Sequence, residues 1–443
     1  MGLTAQEALA RTVLLTRQLR LPESDDDTVV RGMAATTVAI VADEENLSSP
    51  VAQDAVTTLV GLTAACGMRV RLVMPPVQVA GYQPPLVGDE LTAALCDLAS
   101  DSVPGADAAV ASETRGGDVA FIIGSSEWRG TAEAAWRLTA DAWCGSMLPT
   151  GANVRAMSGG LPIGALAAAS AAAAEPYRVA LRRIAAATGC AVADPRLLQP
   201  AERVVVRLAP PGTPTSGFAL GSLDMVSGGA LTTAVLHALL RVDDLGLAVR
   251  VWEPQDAEGT NLNRYVLLRR SMLGLGMSKV RMLERWQHGD VSISGSRTAV
   301  DEDNIQTLRP WAPWVFVGTD NVEARWLVQR SWPEHLVVVG TAGFLSMASE
   351  HDCGRPCAGC LHPGSENLPG LEVPTISFVS YLGGLLGASR LLRWSVAGRS
   401  ADAEQETEAY ADRLDSETGI RHAPVARLAT CPVGCAARDG RLG

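Results

Sequence analysis

Apolar runs of the kind that form buried strands alternate along this chain with longer segments of helical periodicity. The run DVAFIIGSS, from Asp118, precedes EWRGTAEAAWRL, and the run PWVFVGTD, from Pro313, precedes NVEARWLVQRSW. In both places we expect a β-strand, a small polar turn and then a helix that carries Trp and Arg. Strands that alternate with helices in this way predict an α/β fold with a largely parallel sheet.

Other segments repeat in the same order, which points to an internal duplication. AQDAVTTLVGLTAACGMRVRLVMPP has the same pattern as GGALTTAVLHALLRVDDLGLAVRVWEP: a helix, a turn, a buried strand and a proline. PIGALAAASAAAAEPYRVALRRI likewise matches SFVSYLGGLLGASRLLRW, and both predict helices with small residues on one side. We therefore predict two related α/β domains, residues 1–195 and 196–443. Two unrelated doubly wound domains are the alternative explanation.

The composition narrows the class of protein and its surroundings. The chain has 443 residues, 47% of them hydrophobic, which indicates a globular protein with more than one domain. Its formal net charge of -11 argues against binding to nucleic acid. The alanine-rich stretch before Glu175 predicts a buried helix rather than a membrane span, and the N-terminal segment lacks the apolar stretch of a signal peptide. We therefore expect a cytoplasmic protein, in which paired cysteines are metal ligands more often than disulfides.

The second domain carries polar residues near the ends of its predicted strands. FALGSLDMVSGG follows a short apolar run and opens a helix, so we expect Gly221 and Ser222 to bind phosphate through a backbone loop. Glu253 ends the next strand, in VRVWEPQD, where a carboxylate can accept hydrogen bonds from a ribose. Asp320 ends a third strand, in WVFVGTDN, at the edge of the sheet where α/β proteins bind ligands.

Amide and cationic side chains follow in the same domain. Asn261 and Arg264 stand in EGTNLNRY, and Lys279 stands in LGLGMSKV. Arginine and lysine suit phosphate groups, and a carboxylate such as Asp320 beside phosphates and cations predicts Mg²⁺. Together these residues predict a nucleotide site.

The first domain serves as an internal control. Aligned with the second, it has Met74 opposite Glu253 and Ser126 opposite Asp320, and VADEENLSS opposite the glycine loop. We therefore expect that only the second domain retains the polar site.

Four of the cysteines form two close pairs. CAGC contains Cys357 and Cys360, and CPVGC contains Cys431 and Cys435. Two such pairs predict a tetrahedral Zn²⁺ site of four thiolates. A redox pair would be expected at the start of a helix beside a first strand, and it would not need the second pair. Free thiols without a metal are the remaining alternative.

Taken together, these residues resemble those of the ThiF/MoeB superfamily, the activating enzymes for ubiquitin and ubiquitin-like proteins. EGTNLNRYVLL is similar to the family's strand-end acid with its Asn-Leu-x-Arg segment, VGTDNVEAR to its Mg²⁺/ATP aspartate motif, and PCAGC with CPVGC to its zinc cysteines. LLTRQLRL resembles the family's N-terminal Arg-Gln segment, which reaches the ATP of the partner domain, so the resemblance makes Arg17 a candidate arginine finger. The glycine loop departs from the family's G-x-G-x-x-G, since it reads Ala219-Leu-Gly-Ser-Leu-Asp224.

The resemblance implies two tandem Rossmann-like domains, in which a degenerate first domain supports an adenylating second one that uses ATP, Mg²⁺ and structural Zn²⁺. The C-terminal glycine carboxylate of a ubiquitin-like protein would attack the α-phosphate of ATP, and pyrophosphate would leave. Arg17, Arg264 and Lys279 would stabilise charge on the phosphates. A conjugating enzyme is expected as a separate chain, in a ubiquitination-like pathway of bacterial type, and the question of a homodimer stays open.

Two other functions fit the same residues. The chain could adenylate a short peptide or a sulfur-carrier protein in biosynthesis. The inactive first domain favours a ubiquitin-like modifier, because those biosynthetic systems usually resemble homodimers of active subunits. The third hypothesis is a non-catalytic scaffold that binds a modifier or a conjugating enzyme, and the altered glycine loop supports it.

Members of the family often pass the acyl group to a cysteine in the crossover segment after the first cysteine pair. Here that segment, LHPGSENLPGLEVPTISFVSYLGG, contains no cysteine. Three outcomes are therefore expected: the reaction stops at the adenylate, Thr375 accepts the acyl group as an oxyester, or Cys353 accepts it as a thioester. A threonine at the position of Thr375 is otherwise a common helix cap.

Overall fold

Runs rich in Val, Ile and Leu become the strands of this protein, and the longer segments between them become most of its helices. The computed structural model describes residues 2–112, 117–274, 276–364, 373–416 and 419–435. Within the first half, up to residue 207, the helices are α1 (Ala5–Ala8), α2 (Ala10–Leu19), α3 (Asp26–Ala35), α4 (Glu44–Leu47), α5 (Pro50–Ala65), α6 (Leu91–Ser100), α7 (Ile163–Ala172) and α8 (Ala174–Thr188). The second half, from residue 221, has α9 (Ala230–Leu239), α10 (Arg270–Leu273), α11 (Lys279–Glu284), α12 (Val322–Arg330), α13 (Ala358–Leu361) and α14 (Ser377–Ala397). Short 3-10 helices occupy Pro195–Leu198, Gly259–Asn261 and Asp402–Glu404.

The strands form two sheets, one in each half of the chain. The first sheet contains β1 (Thr37–Val41), β2 (Arg69–Val73), β3 (Asp107–Val110), β4 (Gly117–Ile123), β5 (Ala132–Ala140), β6 (Cys144–Pro149) and β7 (Val204–Arg207). The second contains β8 (Gly221–Val226), β9 (Leu247–Trp252), β10 (Val291–Ser296), β11 (Trp314–Val317), β12 (His335–Ala342), β13 (Leu345–His351), β14 (Glu406–Tyr410) and β15 (Ile420–Ala423).

The two sheets share one topology. Their strand orders are β3-β2-β1-β4-β5-β6-β7 and β10-β9-β8-β11-β12-β13-β14-β15, so the second repeats the first and adds a strand. In each sheet the first five strands in this order pair in parallel, and the later ones pair antiparallel. The predicted α/β class is therefore confirmed, and each sheet is mixed.

One predicted helix of the first half is wrong. The segment that carries Trp136 is β5, a strand that runs parallel to β4. Buried and partly exposed side chains alternate along it, so Ala134, Trp136 and Leu138 are buried on the same face. The Trp136 ring stacks on Phe121 of β4 with 5.7 Å between centroids, and this packing determines the extended form. Only the second copy of the pattern forms a helix, α12.

The change from one sheet to the other falls between residues 207 and 221 rather than at residue 195. β7 lies beyond the predicted boundary but pairs with β6, and its buried Val204 and Val206 complete the edge of the first sheet. Buried apolar side chains of both halves form one continuous cluster. The division into two domains therefore stays a prediction.

Helices from both halves make the layer between the sheets. α14 packs against α9 of its own half and against α7 and α5 of the first half. α7 is buried along its whole length, as the alanine-rich pattern predicts. Among the helices that the structure describes, none has both the length and the apolar character that crossing a membrane requires.

A buried ion pair joins the halves within this layer. Nε of Arg241, just after α9, lies 2.8 Å from Oδ1 of Asp54 on α5, and both side chains are almost fully buried. Arg241 also donates to the backbone oxygens of His237 and Pro84. The phenol of Tyr381, on α14, lies 2.9 Å from Nδ1 of His237.

We expect Asp54→Ala to lower the free energy of unfolding by about 3–5 kcal/mol, because it leaves the buried Arg241 charge without its partner. Asp26→Ala is the matched control, since its pair with Arg17 is more than two-fifths exposed on both sides and should contribute about 1 kcal/mol or less. Denaturant unfolding of both variants measures the difference. Equal losses in the two would contradict a stabilising role for the buried pair.

Candidate nucleotide and metal sites

The second sheet brings three loops together at the carboxyl ends of its parallel strands. β8 lies between β9 and β11, so the loops after these three strands meet at the same edge. The chain leaves β8 toward β9 on one side, whereas β11 lies on the other, which is the arrangement that opens a crevice in α/β sheets. The loop after β11 touches the one after β8, because the N–H of Gly318 donates to Val226 O at 3.2 Å.

The glycine loop of this edge is Ser227–Gly229, and the prediction for Gly221 and Ser222 is corrected. Gly221 and Ser222 begin β8 and lie at the opposite edge of the sheet, roughly 17 Å away along the strand. The apolar run before them, Phe218–Leu220, does not form the strand; the run that ends at Val226 does. The sequence signal for the phosphate loop was therefore the apolar run that ends at Val226 and is followed directly by Ser-Gly-Gly.

Asp224 does not lie in the Ser227–Gly229 loop. It lies within β8 with a fully buried side chain, and both of its carboxylate oxygens accept hydrogen bonds from Arg250 at 2.6 Å. The acidic residue that departs from the family's loop is thus neutralised inside the sheet, and it imposes no repulsion on phosphate.

Glu253 holds the glycine loop from the neighbouring strand end. Its Oε2 accepts from the N–H of Gly228 at 2.8 Å, and its Oε1 accepts from the N–H of Gln255 at 2.9 Å. A Cβ on Gly228 would lie 2.9 Å from Cγ of Glu253 and 3.3 Å from Cβ of Lys279, so the close approach requires glycine. Ser227 adopts a φ of 96°, a strained conformation for a residue with a side chain.

Lys279 lies next to this carboxylate at the start of α11. Its side chain is 7% exposed, and Nζ lies 4.0 Å from Oε1 of Glu253 and 5.7 Å from the centre of the Tyr265 ring. Nζ also donates to Oε1 of Gln255, a surface side chain. Lys279 and Glu253 are therefore buried next to each other beside the glycine loop.

Asn261 and Arg264 make hydrogen bonds within the turn that follows Glu253. Oδ1 of Asn261 accepts from the N–H of Glu258 at 2.9 Å. Arg264 donates to Thr260 O and to Oδ1 of Asn263, the latter at 2.8 Å. The structure thus places both residues in the strand-end loop but gives them local partners.

Asp320 is exposed in the loop after β11, three residues beyond the strand. The neighbouring Arg325, on α12, donates to Thr319 O from Nε at 3.0 Å and from Nη2 at 2.7 Å. Burial lowers the pKa of Arg325 to about 10 while the charge of Asp320 raises it, so the guanidinium stays protonated near neutral pH. Arg325 was not predicted as a site residue, although it stands in the quoted VGTDNVEAR motif.

Arg17 forms an exposed ion pair within the first half of the chain. Its Nη1 donates to Oδ1 of Asp26 at 2.6 Å, and the two side chains line an open groove of about 730 Å³ beside α1 and α2. α2 itself lies against the second half, since Oγ1 of Thr12 accepts from Nδ2 of Asn263 at 2.9 Å. The first half thus supplies a helix to the turn that follows Glu253, and the role of Arg17 stays a prediction.

The two candidate acyl acceptors lie at opposite edges of the second sheet. Thr375 is near the strand-end loops, because its carbonyl accepts from Nδ2 of Asn263 at 3.4 Å, but it is 5% exposed and its hydroxyl lies 2.9 Å from Oγ of Ser380. Ile376, not Thr375, is the residue before the first turn of α14. Cys353 is exposed but follows β13 at the amino edge of the parallel strands, away from Asp320.

The four paired cysteines converge as the sequence predicts. The sulfur atoms of Cys357, Cys360, Cys431 and Cys435 lie within 4.8 Å of one another, and all four residues are buried. Individual Sγ–Sγ distances are 3.3 Å for Cys357–Cys431 and for Cys360–Cys435, and 3.9 Å for Cys357–Cys360. These distances are too long for disulfides and close to the roughly 3.8 Å edge of a ZnS₄ tetrahedron.

The surroundings of the cysteines suit a metal ion with thiolate ligands. Burial raises the pKa of Cys357 well above its ordinary value and that of Cys435 to about 11, so a dication is needed to hold both as thiolates. Burial also acts to raise the pKa of Cys431, but hydrogen bonds from Cys435 and other neighbours bring it to about 7. The N–H of Leu428 points to Sγ of Cys360 at 3.4 Å.

In the first half the corresponding strand-end edge is filled by the protein's own side chains. The amide of Asn46 donates to Oγ of Ser125 and Ser126, and its Oδ1 accepts from the N–H of Met157 at 3.0 Å. Nη1 of Arg137 donates to the backbone oxygens of Gly124 and Ser126. Polar groups are present there, but they are used to close the edge.

No protein-family model matches the chain, and no curated protein is similar to it in sequence. Among solved structures, E. coli MccB with ATP is 14% identical and has a TM-score of 0.39, with 48% of this chain and 66% of that chain covered. E. coli MccB with MccA-N7isoASN is 14% identical at a TM-score of 0.40, with 48% and 67% covered. The microcin C7 biosynthetic enzyme MccB in complex with N-formylated MccA is 15% identical at 0.39, with the same coverage. This chain thus spans about two thirds of the MccB chains.

We expect one Zn²⁺ per chain, bound by the four clustered thiolates. Cys357→Ser should lose most of the metal and, with it, much of the folding free energy that metal binding supplies, which is roughly 10–16 kcal/mol for a structural zinc. Cys353→Ser is the matched control, because Cys353 lies outside the cluster and is exposed. Elemental analysis and denaturant unfolding test both variants. Freshly purified wild-type protein without zinc would contradict the assignment.

Proposed function

We propose that the second half binds ATP with Mg²⁺ at the carboxyl edge of its sheet and adenylates the C-terminal glycine of a ubiquitin-like protein. The observation that supports this most is the cluster of the Ser227–Gly229 loop, Glu253 and Lys279 beside the loop of Asp320. α9 begins at this loop, and Gly229 at its N-cap has no side chain to cap the first-turn N–H groups. These N–H groups are suited to phosphate oxygens.

Each residue of the cluster has a proposed task that follows from its position. Glu253, at the end of β9, accepts hydrogen bonds from the ribose, while its Oε2 keeps the glycine loop in place. Lys279 turns from Gln255 to the phosphates, because Gln255 is a surface side chain that can move away. Asp320 would hold Mg²⁺, which supplies positive charge that neutralises the phosphate oxygens.

The proposed reaction forms one bond and breaks one. A carboxylate oxygen of the modifier attacks the α-phosphorus of ATP, the bond to the bridging α,β-oxygen breaks, and pyrophosphate leaves with its electron pair. Lys279 and the first-turn N–H groups of α9 stabilise the added negative charge. No proton transfer is required, since the attacking carboxylate is already ionised at neutral pH.

We expect Asp320→Ala and Lys279→Ala to lower ATP–pyrophosphate exchange at least about a hundredfold, since the first removes the proposed Mg²⁺ ligand and the second removes positive charge at the phosphates. Asp303→Ala, a change of an exposed carboxylate outside the strand-end loops, is the control and should keep full exchange. Candidate carriers are ubiquitin-like proteins with C-terminal glycine, sulfur-carrier proteins and short peptides. Exchange with only the latter two would select the biosynthetic alternative, and a wild-type protein that binds no ATP would select the scaffold.

We further propose that the reaction stops at the adenylate, which a partner takes directly. The hydroxyl of Thr375 is buried and bonded to Ser380, so it has no access to an acyl group, and Cys353 lies at the other edge of the sheet. This arrangement supports neither an oxyester nor a thioester.

Protein mixed with its carrier and ATP should therefore show no covalent adduct on a denaturing gel, with or without thiol reductant or hydroxide. Thr375→Val should retain exchange and cost about 1 kcal/mol of stability through the lost hydrogen bond. An adduct that resists reductant, breaks with hydroxide and is missing in Thr375→Val would contradict the proposal. So would an adduct that reductant removes and that Cys353→Ala lacks.

A further inference from the structure

α12 binds the cysteine segment along one of its faces. Trp326 Nε1 donates to His362 O at 2.8 Å, and Oε1 of Gln329 accepts from the N–H of Ala358 at 3.0 Å. Nη2 of Arg330 donates to Pro432 O, between the second pair of cysteines, at 3.1 Å. Side chains with this spacing share one side of a helix. α12 therefore lies against both segments that carry the four cysteines.

Arg325 links this face to the loop of Asp320. Its Nε and Nη2 donate to Thr319 O, the carbonyl of the peptide bond that leads into Asp320. Its Nη1 lies 3.1 Å from Nε2 of His362, two residues after Cys360. Since an arginine only donates, Nε2 accepts this bond. One buried guanidinium thus connects the carbonyl before Asp320 to the residue that follows the first cysteine pair.

A comparison of the two halves shows that helix α12, the paired cysteines and the exposed Asp320 occur only in the second half of the described chain. The first half has no helix between β4 and β5 in the residues described there, and its counterpart of Asp320 is the buried Ser126. Its own cysteines, which lie far apart in sequence, are Cys66, Cys96, Cys144 and Cys190. The helix, the paired cysteines and the exposed carboxylate are therefore all features of the second half, as expected if they act together.

We propose that Arg325 and His362 are positioning residues that couple the four-cysteine metal site to the Asp320 loop. With metal bound, the cysteine segment fixes His362, His362 fixes the guanidinium of Arg325, and the guanidinium fixes Thr319 O. The Asp320 carboxylate is then held where a nucleotide-bound divalent cation needs it, a consequence that rests on the proposed function. Without metal, the cysteine segment loosens and the loop loses its position while the sheet remains.

The first test measures the loop itself and does not depend on any activity. Hydrogen exchange of the peptide that spans β11 and the first turn of α12 is compared in zinc-loaded protein and after chelation. We expect chelation to speed exchange there about tenfold or more, while the strands β8 and β9 keep their protection. Unchanged exchange in this peptide would overturn the proposal, and so would an equal rise across the whole sheet, which would indicate general unfolding.

His362→Ala tests the route of the coupling, because it removes the acceptor for Arg325 and leaves the bonds from Arg325 to Thr319 O. Zinc removal in this variant should no longer change exchange in the loop. Arg330→Ala is the matched control: it removes an arginine that binds the second pair of cysteines on the same helix, and zinc removal should still act on the loop. Full coupling in His362→Ala would overturn the proposed route.

A second readout separates positioning from general stability. Arg325→Lys keeps the positive charge but lacks the fork that donates twice to Thr319 O. In protein that retains its zinc, the Mg²⁺ concentration for half-maximal ATP binding should rise roughly tenfold, as is common when a partner of a metal ligand is lost. An unchanged Mg²⁺ requirement would overturn the proposal. If wild-type protein binds no ATP but chelation still loosens the loop, the proposed function fails and the coupling stands.

Discussion

The architecture depends on the close approach of α14 to α9. A Cβ on Gly384 would lie 2.4 Å from Cβ of Ala234 and 2.7 Å from Leu231 O, so only glycine permits this contact. α14 packs at the same time on β12 and β13 and on helices of the first half. Because α9 begins at the Ser227–Gly229 loop, the helix that joins the halves also sets the position of the candidate phosphate site. A larger residue at Gly384 would push on the backbone of α9, and the strand-end loop would move with it.

Both halves bring polar groups to the same edge of the same topology, but they use them differently. In the first half, the side chains of Asn46 and Arg137 make hydrogen bonds to the strand-end loops. The edge of the first sheet is therefore closed. In the second half, Glu253 accepts a hydrogen bond from Gly228 in the glycine loop, and the charged side chains of Lys279 and Asp320 lie at the same edge. A protein keeps charge beside a strained loop at a cost in stability, and such costs are typical of sites that bind a ligand. The contrast between the halves is therefore the physical basis of the proposed function.

The sequence was informative where a chemical group directly follows a buried strand. Glu253 and Asp320 stand one and three residues after apolar runs, and these runs form parallel strands on either side of β8. The four-cysteine site could also be predicted from the sequence, because two close cysteine pairs restrict the geometry before any fold is known. The glycine loop was misplaced because Phe218–Leu220 imitates a strand end, whereas the strand follows it.

Other features depend on contacts that no local pattern contains. The helix expected at Trp136 is a strand because of the stacked Phe121 on β4, and Arg17 turns to Asp26, nine residues away. Nη1 of Arg264 donates to Thr260 O and to Asn263 on its own turn, which its residue type alone does not reveal. Long cationic side chains have many rotamers, so their partners are decided by tertiary structure rather than by sequence spacing.

In the proposed coupling, a closed metal site orders an exposed loop. Asp320 is exposed in the loop after β11, and a carboxylate that binds a cation must be held within a fraction of an ångström. The cysteine cluster has the opposite character, since its four sulfur atoms are buried and would form a small, closed and stiff unit around the predicted ion. α12 lies between the two and makes hydrogen bonds to both. The ordering of the exposed loop can then come from the free energy of metal binding rather than from a larger apolar core, which an open edge of a sheet cannot accommodate.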